Sequence, residues 1–222
     1  MLDRYKQIKY ILGVYRKNSL LTKLHLIYRF ITCPYLKIEE FTPREGLILD
    51  YGCGHGLFSH LLAFTFPGRI ISGFDSSNLK ISEALKTLDC RKEIGFTFNS
   101  EQARDLLGKA DCVVMNDVLC YFTEQDRKVF LKEIFNVLKN RGLLIIKDVD
   151  KKFSFKYVLL FVQEVLAVKL LRITEAKVIN FFPREHLTGI LTEIGFKVKV
   201  FDIGKQYLYP HILFVCKKEK LE

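Results

Sequence analysis

Residues 47–59 of the chain, LILDYGCGHGLFS, combine one carboxylate with three closely spaced glycines. An apolar run leads into Asp50, and Gly52, Gly54 and Gly56 follow at alternate positions. Glycines permit a sharp turn and a close approach of the backbone to a ligand, because they have no Cβ atom. A helix is predicted to begin directly after them and would present the free N–H groups of its first turn there. The pattern predicts a ligand-binding turn whose carboxylate suits a ligand with an ammonium group.

Other motifs with similar residues do not match. The dinucleotide pattern G-x-G-x-x-G, counted from Gly52, requires a glycine where Leu57 stands, and Asp50 would repel a pyrophosphate. The sequence contains neither a G-x-x-x-x-G-K-[ST] loop nor a G-x-S-x-G elbow, which excludes the P-loop and simple hydrolase classes. It also has no H-E-x-x-H motif or Cys/His cluster, so no metal site is predicted.

The elements that must position the glycine turn alternate along the chain. Strands are predicted at 47–52, 69–75, 94–100, 110–118 and 142–150, with helices at 57–66, 76–88 and 123–139. This alternation predicts right-handed βαβ units and a parallel sheet covered on both faces. A helix at 183–195 and two strands at 196–203 and 207–218 complete the chain. We therefore expect an α/β fold with a doubly wound, mostly parallel seven-stranded sheet and an antiparallel C-terminal hairpin. The turn after its first strand would lie in the ligand crevice of such a sheet.

Length and composition predict one domain with four segments. The 222 residues, 49% hydrophobic and 27% charged, are sufficient for one core and exclude general disorder. The segments are an N-terminal helical extension (1–42), a binding core (43–150), a lid insertion (151–182) and a closing helix and hairpin (183–222).

The net charge of +10 attracts nucleic acid, anionic lipid or anionic substrates. No long apolar span, secretory signal or CxxC pair is seen, so we expect a cytoplasmic protein with free thiols.

With these residues in this order, the chain resembles the class I S-adenosylmethionine-dependent methyltransferases. Their first motif is acid-x-Gly-x-Gly-x-Gly, which the turn from Asp50 to Gly56 matches in full. The resemblance implies that this turn, including Cys53 and His55, holds the methionine moiety of the cofactor S-adenosyl-L-methionine. It also implies that Asp75, with Ser76 beside it, binds the ribose hydroxyls. The adenine contact is implied in the zone of Asn99, Ser100 and Glu101.

The fourth predicted strand resembles the catalytic-face strand of that family. Its end places Asn116 near the cofactor and makes Asp117 and Tyr121 candidate catalytic or substrate-contacting residues. The alternatives are that Asp117 is a cap or a loop contact and that Tyr121 is a core aromatic residue. Asp148 and Asp150, at the end of the fifth strand, are further candidates. Methyl transfer requires a general base only if the acceptor must lose a proton.

The identity of the acceptor stays open between classes. The sequence Asn116-Asp117-Val118-Leu119 differs from the Asn/Asp-Pro-Pro-aromatic motif of enzymes that methylate base amino groups, which disfavours nucleic acid. The insertion 151–182 is apolar with interspersed cations and predicts either a helix packed on the domain edge or a hydrophobic lid. A lid would favour a small-molecule or carrier-tethered apolar, lipid-like acceptor, and with the basic N-terminal helices a peripheral contact with an anionic membrane. An RNA or protein methyltransferase and a non-catalytic cofactor-binding subunit remain alternatives, and the sequence does not predict the oligomeric state.

Overall fold

A computed structural model of the protein describes residues 4–89, 92–97, 106, 108–151 and 180–219. Its centre is a seven-stranded sheet in the order β3-β2-β1-β4-β5-β7-β6. The strands are β1 (Gly46–Tyr51), β2 (Arg69–Phe74), β3 (Ile94–Thr97), β4 (Ala110–Asn116), β5 (Leu138–Val149), β6 (Phe196–Asp202) and β7 (His211–Lys218). Strands β1 to β5 pair in parallel, whereas β7 is antiparallel to both β5 and β6. The predicted fold class is confirmed.

Helices cover both faces of the sheet. They are α1 (Arg4–Val14), α2 (Leu20–Thr32), α3 (Tyr35–Glu39), α4 (Leu57–Thr65), α5 (Asn78–Leu85), α6 (Glu124–Val137) and α7 (Arg184–Ile194), with a 3₁₀ turn at Leu119–Tyr121. Side chains alternate between the two faces of a strand, so neighbouring residues such as Ile48 and Leu49 enter different apolar clusters. Ile48 packs with α1 to α5, and Leu49 packs with α6 and α7. The sheet therefore has two buried faces, as its apolar strands require.

Local capping fixes where several helices begin and end. The side chains of Ser19, Ser77 and Thr123 accept backbone N–H groups at the starts of α2, α5 and α6. Helix α7 ends at Gly195, whose φ of 110° suits a residue without a Cβ atom. Helix α4 differs, because its N-cap residue is Gly56, which has no side chain to cap the first turn.

Two strand boundaries differ from the sequence-based prediction. Strand β5 begins at Leu138 rather than 142, with a register shift against β4 between Ala110 and Cys112. Strand β7 begins at His211 because the preceding segment turns back, with the Ile203 N–H bonded to the His211 carbonyl. Most of the predicted lid insertion and the end of the predicted third strand lie outside the described residues.

The N-terminal helices pack over the glycine turn. Tyr10 of α1 stacks on Phe64 of α4 with ring centroids 4.0 Å apart. The hydroxyl of Tyr15, which is 1% exposed, donates to the His55 carbonyl at 2.7 Å. In α2, Leu26 and Phe30 enter the core. The N-terminal segment is thus in contact with the carboxyl ends of the strands.

Candidate active site

The glycine turn follows β1 and is bonded to the end of β2. Gly52, Gly54 and Gly56 have φ angles of 78°, 56° and 81°, in the left-handed region. The N–H groups of Gly52 and Cys53 both donate to the Phe74 carbonyl, at 2.7 and 2.9 Å. This backbone path requires glycine and brings the turn beside the residue that follows β2, Asp75.

The three glycines serve two different purposes. A Cβ atom at Gly52 would lie 2.4 Å from a methyl group of Val118, and one at Gly56 would lie 2.3 Å from the ring of Phe96. These two glycines permit close packing within the protein. At Gly54, by contrast, the nearest atoms to a Cβ are 4.0 Å away, on Asp75 and Lys80. The open space at Gly54 is where a ligand can approach the backbone.

Asp50, at the end of β1, is a buried carboxylate. It is 1% exposed, and its Oδ2 accepts a hydrogen bond of 2.6 Å from the Ser59 hydroxyl on α4. Burial raises the pKa of Asp50 to about 6; the Ser59 hydrogen bond lowers it in part, and the charge of Asp75 raises it further. A carboxylate in this environment gains stability when a cation binds beside it.

Asp75 links the glycine turn to the start of α5. Its Oδ2 accepts the Gly54 N–H at 2.8 Å, and its Oδ1 accepts the Ser77 N–H at 2.9 Å. A carboxylate has about four acceptor positions, so hydroxyl groups of a ligand can still bind. Ser76 is exposed beside it.

Two further features of this crevice fit a nucleoside with an ammonium group. The Asn116 Oδ1 is buried and has no hydrogen-bond partner among the described residues. Asn116 ends β4, one residue beyond the pairing of Met115 with Tyr51, and so lies beside the glycine turn. The start of α4, which Gly56 does not cap with a side chain, presents backbone N–H groups at the same point. The predicted adenine contacts Asn99, Ser100 and Glu101 lie outside the described residues.

His55 and Cys53 lie within the turn itself. The His55 ring is 5.6 Å from that of His25 on α2, and burial lowers the pKa of His55. Burial raises the pKa of the Cys53 thiol, which keeps it protonated. Both residues are therefore neutral at pH 7, and neither competes with Asp50 for a cationic ligand.

A second polar cluster lies beside the crevice, at the end of β4. Asp117 has a φ of 57° and pairs with two cations, Arg29 of α2 at 2.9 Å and Lys147 of β5 at 2.6 Å. Burial alone raises the pKa of Asp117, but Lys147 and Arg29 outweigh burial and hold it well below its usual range. Asp117 is thus an anion with little tendency to take up a proton, and it ties α2 to the sheet.

This cluster forms one wall of a cavity of about 40 Å³. The lining combines ionic and aromatic groups from α2, the 3₁₀ turn, β5 and β7: Tyr28, Arg29, Thr32, Cys33, Asp117, Cys120, Tyr121, Lys147, Val149, Phe181, Tyr209 and His211. The hydroxyls of Tyr28 and Tyr209 are 2.7 Å apart. The His211 Nε2 lies 2.9 Å from the Thr32 carbonyl, which fixes this nitrogen as the donor. Burial lowers the pKa of His211 to about 3, so the ring is neutral.

The other predicted acid and base candidates lie elsewhere. Asp148 sits between two cavity-lining residues of β5 and so points to the opposite face of the sheet. Asp150 pairs with Arg184, whose Nε lies 2.8 Å from it. Within the described part of the chain, no group of three or more His, Cys, Asp or Glu residues could hold a metal ion.

The sequence analysis did not identify the two cations of the cavity. Arg29 is one of eight lysine and arginine residues in the N-terminal extension (1–42) and has no local feature that distinguishes it. Lys147 had a usable signal, because it interrupts the apolar run LLII of a strand predicted to be buried on both faces. A lysine at such a position needs a buried partner, which here is Asp117.

The chain matches the protein family described as "Methyltransferase domain" over residues 25–199 and belongs to that family. Its fold and its acid-glycine turn are those of the class I S-adenosylmethionine-dependent methyltransferases, as the resemblance implied. It is 34% identical to the putative methyltransferase YqeM of Bacillus subtilis over 122 residues, 53% of this chain and 47% of that protein. The chain spans about half the length of the curated relatives it matches.

Solved structures show the same fold. An O-methyltransferase family protein from Burkholderia thailandensis matches with a TM-score of 0.65 and 20% identity, over 85% of this chain and 56% of that one. Human N-acetylserotonin methyltransferase, solved in complex with S-adenosylmethionine, matches with a TM-score of 0.67 and 14% identity. That match covers 98% of this chain and 57% of the human one.

Proposed function

We propose that the chain transfers a methyl group from S-adenosylmethionine to a small acceptor with an apolar body, one end of which enters the cavity at Asp117. The observation that carries this proposal is the adjacency of the two sites. Val118, directly after Asp117, lies against Gly52 of the glycine turn. Helix α2 reaches both sites, since His25 lies beside His55 and Arg29, one helical turn later, pairs with Asp117.

The residues divide into a cofactor group and an acceptor group. When bound, S-adenosylmethionine supplies a methyl group on a positively charged sulfur. Asp50 and the free Asn116 Oδ1 bind and orient the ammonium group, and Asp75 binds the ribose. Tyr121 and Phe181 line the acceptor cavity and exclude water from it. Since the ion pairs hold Asp117 ionised, its part is to position Arg29 and Lys147 rather than to remove a proton.

Binding and transfer experiments with purified protein test this proposal. We expect one S-adenosylmethionine per chain in calorimetry. We also expect tritium from methyl-labelled cofactor to enter organic-extractable products from a panel of small aromatic and aliphatic acids, alcohols and amines. Transfer into added RNA or protein instead would establish the second class of acceptor. Binding without transfer to any of these would indicate a non-catalytic subunit.

We also propose that one face of α2 contacts an anionic membrane. Leu21, Leu24 and Ile31 are 80%, 54% and 51% exposed, although they are large apolar residues on a helix whose other face is buried. Arg16 and Lys17 stand just before this helix and share one acid, Asp89. Exposed apolar residues flanked by cations are typical of helices that lie in the membrane interface. No helix of the described residues could span a membrane.

Vesicle sedimentation tests this second proposal. At low salt we expect binding to vesicles that contain phosphatidylglycerol and much weaker binding to pure phosphatidylcholine. The double variant Leu21→Ser/Leu24→Ser should lose about ten-fold in affinity, because two exposed apolar side chains no longer enter the interface. Leu79→Ser/Leu85→Ser on α5 is the matched control, since these leucines are 73% and 49% exposed. Equal losses in both variants would contradict a specific role for α2.

A further inference from the structure

The acceptor cavity has an excess of positive charge. Arg29 and Lys147 share a single carboxylate, Asp117, and both of its oxygens are occupied, one by each cation. The third described residue of the wall that can become a cation, His211, is neutral because burial lowers its pKa to about 3. The described lining therefore has a net charge of about +1, in a place where an unbalanced charge is costly.

Lys147 is the cation with unused binding capacity. Its side chain is 1% exposed and lines the cavity, and among the described residues its one hydrogen bond goes to Asp117. An ammonium group has three donors, so two of them lack an acceptor in the described part of the chain. Arg29, whose side chain is 31% exposed, adds a second donor group on the other side of Asp117. Buried donors of this kind need an acceptor, and an anion satisfies both the donors and the charge.

The size of the cavity limits what this anion can be. The cavity volume of about 40 Å³ holds only a group of a few heavy atoms, since one water molecule needs roughly 10–15 Å³ of such a cavity. The aromatic residues Tyr28, Tyr121, Phe181 and Tyr209 line the same cavity and suit an apolar body attached to that group. A planar carboxylate at the end of an apolar molecule meets both requirements.

We propose that the acceptor is a small carboxylic acid whose carboxylate binds Lys147 and Arg29 in this cavity. This inference rests on the proposed function, because it names the acceptor class of the same site. It also agrees with the weak proton acceptors of the described lining, because the lowered pKa values of Asp117 and His211 make both groups poor general bases. A carboxylate arrives already deprotonated, so an oxygen nucleophile is present without a general base. With the cofactor bound, transfer to this oxygen would form a C–O bond as the methyl C–S bond breaks, giving a methyl ester and S-adenosylhomocysteine without release of a proton.

Titration of matched ligand pairs tests this proposal. The protein is first saturated with S-adenosylhomocysteine, and this step alone reports on the cofactor site. Benzoate and hexanoate are then titrated at pH 7.5 against benzamide and hexanamide, which have the same shape without the charge. We expect each carboxylate to bind at least ten-fold more tightly than its amide. Equal affinities, or no binding of either carboxylate, would overturn the inference while leaving the proposed function intact.

Variants assign the effect to the cavity. Lys147→Met keeps the length of the side chain without its charge, and it should reduce carboxylate affinity at least ten-fold while S-adenosylhomocysteine still binds. Lys199→Met, at an exposed position of β6, is the control and should bind benzoate as the wild type does. Carboxylate binding that survives in Lys147→Met would place the anion elsewhere and overturn the assignment. If Lys147→Met does not fold, the comparison of acid with amide in the wild type still decides the question.

Discussion

Replacing Asp50 with asparagine is expected to weaken S-adenosylmethionine binding by about 30- to 100-fold at pH 7.5, or about 2–3 kcal/mol. The side chain keeps its shape and can still accept the Ser59 hydroxyl, but it loses the charge that we propose binds the ammonium group. A hydrogen bond to a charged group in a buried place is among the stronger single contacts in proteins. Calorimetry of both proteins under the same conditions measures the difference.

The control for this variant is Asp111→Asn. Asp111 lies at the opposite end of the sheet, where its Oδ2 accepts the Leu47 N–H at 2.8 Å and its Oδ1 pairs with Lys139. It therefore also holds a strand of the core but is remote from the glycine turn. Cofactor affinity should be unchanged in Asp111→Asn. A similar loss in both variants would mean that Asp50 acts on the fold and not on the ammonium group.

The pKa of Asp50 adds a pH dependence with a definite sign. In the free protein burial raises this pKa to about 6, so Asp50 is ionised at pH 7.5 and becomes protonated as the pH falls through 6. Protonation removes the partner of the ammonium group, and affinity should fall by up to about ten-fold per pH unit below that point. Asp50→Asn should show a much flatter profile between pH 7.5 and 5. A wild-type affinity that stays constant to pH 5 would contradict this account.

The glycine turn could be predicted from sequence because its determinants are local, whereas its contacts with the cofactor stay predictions. The end of the first strand, the acid, the three glycines and the start of the following helix occupy 13 consecutive positions, and a short contiguous pattern leaves few alternative structures. The packing roles of Gly52 and Gly56 could not be predicted, since they depend on Val118 and Phe96, which are distant in sequence. The pattern shows that glycine is needed but not which neighbour requires it.

The acceptor cavity could not be predicted in the same way because it is assembled from distant segments. Asp117 is 88 positions from Arg29 and 30 from Lys147, and each contact depends on how a helix or strand is placed against β4. The sequence therefore gave Asp117 and Tyr121 as candidates without the cations that determine how Asp117 behaves. Their proposed roles in substrate contact stay predictions. The sequence predicted an apolar acceptor. The cations of the cavity add the proposal that one end of this acceptor is charged.

Asp148→Asn is expected to stabilise the protein at pH 8 by up to about 4 kcal/mol, because a pKa shift of about three units has that value. Asp148 is 0% exposed; its Oδ1 accepts the Val149 N–H at 2.8 Å, whereas its Oδ2 has no partner among the described residues. Burial, together with the charge of Asp117, raises the pKa of Asp148 to about 7. Asparagine retains the accepting oxygen and removes the ionisation.

The pH profile distinguishes this mechanism from a general effect of charge. The pKa of the Asp148 carboxyl group is about 4 in the unfolded chain and is raised to about 7 in the folded protein. Its contribution to stability is therefore fully present below about pH 4 and is lost as the pH rises through about 7. The stability gained in Asp148→Asn should therefore be near zero at pH 4, grow up to pH 7 and then stay constant. Urea unfolding at pH 4, 6 and 8 measures it.

Asp202→Asn is the control for the change in net charge. It removes a carboxylate whose side chain is 52% exposed. It therefore measures how far the loss of one negative charge alone shifts the stability of a chain with a net charge of +10.

If Asp148→Asn were less stable than the wild type at pH 8, the Asp148 carboxylate would have to be a stabilised anion. Its most plausible partner would then be the buried guanidinium of Arg127, whose charge already lowers the pKa of Asp148 in part. The fifth strand would in that case hold a second buried ion pair, on the face of the sheet opposite Lys147 and Asp117.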